Sequence, residues 1–374
     1  MKRYIDMLSR MDWLLFGAMV ALAVGSVFFI YSASYAGPGQ TAAAHWKLPM
    51  YQMQIVWFGV GAIVYVAAAL IDYRLLCQWA AVWYAMAVGL LVLVLIAGAK
   101  VYGARRWLGW GSFGIQPAEI AKLAVVLALS YYLFHRTPQL RRRWGTVWVA
   151  LGLVGLPLVL IMIEPDLGSA MVLMPIGFGL MFMAGVRVKH LLLVTLLGMA
   201  LTPLAWWKLK DYQKDRLTVF LNPNRDPLGD GWNLNQSLIA VGSGGVSGKG
   251  YLQGTQNLLG YLPRTVTPND FLFSVIAEEK GFVGSACVVG LYAVILFSGL
   301  RIAANARDRL GMLLATGVVA MLFFHVFINM GMTIGLMPVT GLPLPLLSYG
   351  GSFVLASMTA LGLLQNVWIH RRAY

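Results

Sequence analysis

Apolar runs of about 20 residues, the length a bilayer requires, recur along this chain with short polar breaks between them. They lie at roughly 13–34, 53–71, 77–99, 115–135, 146–163, 168–186, 190–207, 271–299, 310–336 and 350–369. The pattern predicts ten transmembrane helices and an all-α polytopic membrane protein. Glu164-Pro165-Asp166 separates the fifth and sixth runs by almost nothing, and Pro165 forbids a continuous helix there, so a tight turn is expected. The one long polar interlude spans about 208–270, between runs seven and eight. A loop of that length is usually functional or disordered. Its Trp232, Leu238, Ile239, Tyr251, Leu258, Leu259 and Tyr261 are too apolar for a solvated linker. It is therefore read as an ordered site held by a helical scaffold. No internal repeat divides the chain, so residues 1–374 are expected to form a single membrane domain.

Composition agrees: 59% of residues are hydrophobic, 11% are charged, and the net charge is +14. Mean hydropathy is +0.74, outside the range of soluble globular chains. The basic residues cluster at the ends of the apolar runs, where they orient helices and meet anionic headgroups. That placement, without an aromatic-interleaved basic domain, argues against a nucleic-acid partner. With the N-terminus in the cytoplasm, fifteen Lys and Arg fall inside: Lys2, Arg3, Arg10, Arg74, Arg136, Arg141 to Arg143, Arg187, Lys189, Arg301, Arg307, Arg309, Arg371 and Arg372. Only Lys47, Lys100, Arg105 and Arg106 fall in the short outer loops. Both termini are thus expected inside and the 208–270 loop outside. Two cysteines, Cys77 and Cys287, sit in apolar runs with neither disulfide nor metal spacing.

Charges inside apolar runs are costly, about 2.5–3.5 kcal/mol at the bilayer centre. Glu119 and Lys122 are spaced i,i+3 and can pair on one helix face. Run eight carries Glu278, Glu279 and Lys280; two adjacent acids cannot share one partner, so one is expected to meet water, a headgroup or Lys280. Asp270 follows Pro268-Asn269 at the start of that run, where it can cap the helix. It also closes a basic, glycine-rich outer loop, where a carboxylate could take a proton from a substrate hydroxyl and the surrounding cations could hold phosphate.

The run Gly242-Ser243-Gly244-Gly245-Val246-Ser247-Gly248-Lys249-Gly250 resembles a phosphate loop. Its first glycine is misplaced and Lys249 is followed by glycine, so an ATPase is rejected. An anion-binding turn or a plain tight turn remains. Arg105-Arg106-Trp107-Leu108-Gly109-Trp110-Gly111 reads as an interfacial belt. The proline- and glycine-rich stretch Pro338 to Ser352 is a shaped, non-helical loop. His325 and Asn329, one turn apart in run nine, read as a helix-packing pair.

At these residues the chain resembles the SEDS family (shape, elongation, division and sporulation) over nearly its whole length. The resemblance rests on Gln116-Pro117-Ala118-Glu119 with Lys122; Pro165-Asp166-Leu167-Gly168-Ser169; and Asn222-Pro223 with Asp226-Pro227 and Gly229. Further motifs are Gln236-Ser237 with the glycine-rich run, Asp270-Phe271 with Ala277-Glu278-Glu279, and Pro338-Val339-Thr340-Gly341 through Ser348-Tyr349-Gly350-Gly351-Ser352. The Pro-Val-Thr-Gly-Leu-Pro-Leu-Pro-Leu wording and the short N-terminal tail are similar to the elongation branch rather than the division-type paralogue. The family normally carries Pro-Glu-x-His-(Thr/Asn)-Asp before helix eight. Here Pro263 to Asp270 is two residues longer and has neither Glu nor His, although Phe271 and Ala277-Glu278-Glu279 still fix the register of the aspartate.

The resemblance implies ten helices and a peptidoglycan glycosyltransferase that polymerises lipid II during elongation and rod-shape maintenance. It implies a multi-pass protein of the bacterial inner membrane, working beside a class B penicillin-binding transpeptidase and other elongation-machinery proteins. The family's essential aspartate falls on Asp270, its helix-four pair on Glu119 and Lys122, and its helix-eight acids on Glu278 and Glu279. Arg105, Arg106, Arg216, Lys249 or a divalent cation (Mg or Mn) would steady a departing pyrophosphate, and Ser348, Gly350 and Gly351 would line the substrate site. Two rivals are a lipid II flippase using Glu119, Lys122 and the acid pair as a polar path, and a non-catalytic scaffold for the transpeptidase.

Overall fold

A computed structural model describes residues 9–35, 48–101, 104–110, 113–136, 144–208, 211–222, 226, 229–263 and 266–372. Several residues named above lie outside that set: Lys2, Arg3, Lys47, Gly111, Arg141 to Arg143, Pro223 and Pro227. Helices dominate, in the order α1 (Trp13–Ser34), α2 (Met50–Leu70), α3 (Tyr73–Gln78), α4 (Ala80–Ala97), α5 (Pro117–His135), α6 (Trp144–Ile163), α7 (Leu167–Met183) and α8 (Val188–Lys208). Then follow α9 (Asp211–Leu221), α10 (Asp230–Ser243), α11 (Thr255–Leu258), α12 (Leu272–Ala304), α13 (Arg309–Thr333) and α14 (Gly351–Ile369). Eight of these (α1, α2, α4, α5, α6, α12, α13 and α14) are long and apolar enough to cross a membrane; α7 and the Val188–Ala200 part of α8 are shorter apolar helices. The third run is divided: Tyr73–Gln78 is a separate short helix before Ala80–Ala97.

Helices are the expected answer to a long apolar run, because in lipid every backbone N–H and C=O must be satisfied within the segment. Their ends are fixed by polar side chains. Asp12 accepts from the amides of Leu14 and Leu15 at the start of α1 and pairs with Arg301 at the end of α12. Asp308 caps α13 through Gly311 N and binds Arg74 and the Tyr73 hydroxyl. Both clusters lie at one end of the bundle, tying α1, α3, α12 and α13 together. α14 packs against α2, α12 against α1 and α13, and α13 against α5 and α7. α14 and α5 are the most enclosed spans, with 83% and 67% of their most apolar windows buried, so the core lies around these two and α13.

One stretch overturns the all-α expectation. Residues 99–115 form a three-stranded antiparallel sheet, β1 (Ala99–Val101), β2 (Ala104–Trp110) and β3 (Phe113–Ile115), with Lys100 opposite Arg105 and Leu108 opposite Ile115. Trp107 and Trp110 favour a pleated backbone, while the adjacent Arg105 and Arg106 break the alternation that marks a strand in sequence. The arginines are therefore part of a folded sheet. The 208–270 interlude is ordered over its described residues, with α9, α10 and α11 inside it.

The helix carrying the two acids is broken. Gly281 has φ 62° and ψ −157°, a conformation a side chain would strain, and it kinks α12. The glycine-rich run docks into the break. Lys249 N donates to Glu278 O (3.0 Å) and Gly250 N to Glu279 O (3.0 Å), while Phe282 N and Val283 N donate to Gly245 O (2.9 Å) and Val246 O (3.1 Å). Backbone groups orphaned by the kink are thus satisfied by the loop. A Cβ at Gly244 or Gly248 would overlap the backbone of Ala277 or Glu279. Close approach between two backbones accounts for these two glycines.

Candidate active site

Asp270 lies at the loop end of α12 and is half-buried. The N-cap position of that helix is Phe271, with no side-chain cap bond of its own. The Asp270 carboxylate stands near the 334–350 loop, where a Cβ on Gly341 would be 3.4 Å from Oδ2. Gly341 has φ +71°, so that position both favours glycine and leaves room beside the acid. Arg216, on α9, donates from Nη1 to Thr340 O at 3.1 Å. A carboxylate from the turn before α12 and a guanidinium from α9 thus both stand against the Thr340–Gly341 peptide, brought there from positions 54 residues apart in the chain, 216 and 270.

The loop is a shaped wall. Tyr349 N donates to Pro268 O (2.9 Å), Tyr292 Oη to Pro345 O (2.6 Å) and Ser26 Oγ to Leu347 O (2.6 Å). Ser348 is fully buried; its Oγ accepts from Leu344 N (2.9 Å) and its carbonyl accepts from Gln54 Nε2 (3.2 Å). Gly350 N donates to Gln54 Oε1 at 3.4 Å, and Gly351 lies so close to the Trp57 ring that a Cβ would overlap it. These three predicted substrate residues build the wall through packing and internal hydrogen bonds.

On the other side of Thr340, Gly168 packs so tightly that a Cβ would sit 2.9 Å from Thr340 O. Just before it is the Glu164-Pro165-Asp166 turn. Arg106 donates to Glu164 O (3.2 Å) and to Pro165 O, and Arg105 Nη1 donates to Ile96 O (3.0 Å). Asp166 accepts from Ser169 N (3.1 Å), capping α7, and from Gln116 Nε2 (3.0 Å). Ser352 Oγ accepts from Gln116 N (3.0 Å) and donates to Gly114 O (2.9 Å), joining sheet, α5 and α14. Both Glu164 carboxyl oxygens are buried with no hydrogen-bond partner. Burial first, then the nearby Asp166, pushes that carboxyl up to about 8, against the opposing pull of Arg106.

Deeper in α5, Lys122 Nζ donates to Glu119 Oε1 at 2.8 Å, as the i,i+3 spacing predicted. The same ammonium is 2.8 Å from His325 Nε2. A lysine only donates, so Nε2 is the acceptor and His325 carries its proton on Nδ1. Lys122 is fully buried and Glu119 nearly so, within electrostatic reach of Asp166. One turn along α13, Asn329 Nδ2 donates to Asp270 O (2.9 Å) and Leu342 O (2.6 Å). The packing-pair reading of His325 and Asn329 missed these partners. The available signal was their i,i+4 spacing, which puts two polar groups on one face of an apolar helix.

Glu278 and Glu279 are both fully buried, contrary to the expectation that one meets water, a headgroup or Lys280. Glu278 Oε1 accepts from Lys249 Nζ (2.7 Å), Thr255 Oγ1 (3.1 Å) and Gln256 N (2.9 Å), and Glu279 accepts from Ser32 Oγ of α1. Lys280 instead stands over the Tyr251 ring, 5.6 Å from its centroid. Lys249, Glu278 and Glu279 are thus brought together with one another, about two helical turns from Asp270. Among the described residues no three His, Cys, Asp or Glu side chains converge. A divalent cation has no ready-made protein cage there, and no step is assigned to one.

The fold and site define a class: a polytopic helical membrane protein with a half-buried carboxylate, anchored arginines and an enclosed ion pair gathered beneath structured outer segments. Residues 12–373 match the model of the FtsW/RodA/SpoVE cell cycle proteins, and the chain belongs to that family. It is 38% identical over 356 residues to the peptidoglycan glycosyltransferase MrdB of Escherichia coli K12, covering 95% of this chain and 92% of that one. It is 34% identical to the peptidoglycan glycosyltransferase RodA of Treponema pallidum, covering 96% and 98%. A chain from a structure described as a peptidoglycan synthase complex coordinating polymerization and crosslinking superposes with a TM-score of 0.79 at 32% identity, covering 97% of this chain and 99% of that one. The rod shape determining protein RodA of Thermus thermophilus superposes at 0.70 with 29% identity, over 97% and 98%. The protein is a multi-pass protein of the bacterial inner membrane.

Proposed function

We propose that this chain is a peptidoglycan glycosyltransferase that polymerises lipid II on the outer face of the membrane, with Asp270 as general base. With the ten spans and inside termini that the apolar pattern predicts, the Asp270 side of the bundle faces outward in this reading. The observation that carries the reading is that Asp270 and Arg216 both stand against the Thr340–Gly341 peptide. The acceptor sugar's 4-hydroxyl gives its proton to the Asp270 carboxylate as its oxygen attacks the donor's anomeric carbon. The bond from that carbon to the lipid pyrophosphate breaks, and configuration inverts. Pyrophosphate needs no protonation to leave, unlike the alcohol released in glycoside hydrolysis, so one carboxylate suffices. Arg216, and Arg106 across Thr340, are the cations best placed to meet the developing charge.

Family relatives include both elongation and division proteins. The Pro338 to Leu346 wording favours the elongation branch, with a class B penicillin-binding transpeptidase as partner. Burial of the Glu119–Lys122–His325 group, closed upon itself, supports an enzyme over a flippase, which needs a polar path that opens. The test is polymer formation from labelled lipid II by wild type and Asp270→Asn, each with the partner transpeptidase carrying a dead cross-linking serine. Long glycan from wild type and none from the variant is expected. Equal glycan from both would remove Asp270 from the chemistry, and translocation without polymer would revive the flippase.

A further inference from the structure

Asn329 is fully buried on α13, in a helix that supplies no group to the chemistry proposed above. Its two N–H donors are both used, and on two different segments: the carbonyl of Asp270 at 2.9 Å and the carbonyl of Leu342 at 2.6 Å. Asp270 belongs to the turn entering α12, and Leu342 adjoins Gly341, which stands against the Asp270 carboxylate. One amide therefore pins the backbone of the acid and the backbone of the wall it faces. A second bond joins the same turn to the same loop, Tyr349 N to Pro268 O at 2.9 Å, and Asp270 N is held within the turn by Val266 O at 2.8 Å. Asn329 is the side chain that reaches both carbonyls from a helix. One turn deeper on the same face, His325 accepts from Lys122. A rigid helix thus sets the acid and the buried cation in one register, on an element better suited to precision than the loops it anchors.

We propose that Asn329 is the positioning residue for Asp270: it fixes the carboxylate relative to the Thr340–Gly341 peptide, to which Arg216 is also bound. The proposal rests on Asp270 being the general base. A misplacement of about 1 Å at a reacting group can cost on the order of a hundredfold in rate. A positioning role therefore predicts a fall in kcat rather than in lipid II affinity.

The experiment measures lipid II polymerisation by Asn329→Ala, Asn329→Ser and Asp270→Asn protein with the partner transpeptidase, normalised to folded protein in each sample. Asn329→Ala is expected to lower kcat on the order of a hundredfold with KM within twofold, and to shift the acid limb of the pH–rate profile. Asn329→Ser keeps one donor and should recover part of the loss. A purely structural role would lower the yield or melting temperature while leaving kcat per folded molecule and the acid limb unchanged. That result, from whichever of the two Asn329 variants folds, overturns the proposal. If Asp270→Asn polymerises normally, the general-base reading fails first and the positioning claim with it. If Asp270→Asn is inactive while folded Asn329 variants retain wild-type kcat, only the positioning claim falls.

Discussion

Two buried polar regions sit against the same kinked helix, and they are built in opposite ways. At Asp270 the acid is half-buried, its neighbours come from several elements, and glycine at 341 leaves space beside it. At Glu278 and Glu279 the acids are fully buried, and glycines serve to bring two backbones into contact. Glu278 Oε1 already accepts three hydrogen bonds and Glu279 one, across to α1. Under the proposed function, the first carboxylate is the one that exchanges a proton with substrate. The second arrangement uses carboxylates to lock a loop and a neighbouring helix onto a break. On that reading the same residue type serves reaction in one place and assembly in the other, and accessibility separates them.

Five substitutions test this division. Asp270→Asn should cost about 10²–10⁴-fold in polymerisation with no change in the melting temperature, whereas Glu278→Gln should lower the melting temperature more than the rate per folded molecule. Reversed outcomes would exchange the two roles. Lys122→Met leaves Glu119 as an uncompensated buried charge and should destabilise by roughly 3–5 kcal/mol. Adding Glu119→Gln should restore most of that loss in a detergent thermal melt. If activity does not return with stability, the pair does more than hold α5 to α13. Gly248→Ala forces a side chain against the Glu279 carbonyl and should cost about 1–3 kcal/mol, read by urea or thermal unfolding.

A further effect concerns pH. The Glu164 carboxyl rises from 4.5 to about 8 on folding. Between those values the folded protein binds the extra proton, so this group's contribution to stability falls as pH rises from about 4.5 to about 8 and levels off above. In Glu164→Gln protein that part of the slope should vanish, read as melting temperature against pH. An unchanged slope would show that another group carries it.

Much of the scaffold was legible because a long apolar run in lipid has one backbone solution. The Glu119–Lys122 pair was legible because i,i+3 spacing is local. Features set by distant partners were not. His325 completes the Lys122 group across 203 residues of sequence separation, and no spacing rule reaches that far. Gly281 carries no local mark of the break, since its positive φ goes with a loop more than thirty residues upstream. The burial of both Glu278 and Glu279 followed from that same docking. The sheet at 99–115 escaped because its strands are short and two adjacent arginines interrupt their alternation. Asp270 was legible as a candidate, but its place beside Gly341 was not.

Arg105 and Arg106 offer a thermodynamic consequence of their own. A free arginine carries about 2 kcal/mol of rotamer entropy that an arriving anion must quench. Here the sheet presents both guanidinium groups to backbone carbonyls, Ile96 for one and Glu164 and Pro165 for the other, so much of that freedom is surrendered during folding. A phosphate approaching the remaining N–H groups of Arg106 would meet a donor that is already still. Its binding would then carry a smaller entropic penalty, and calorimetry would show that economy as a less unfavourable −TΔS.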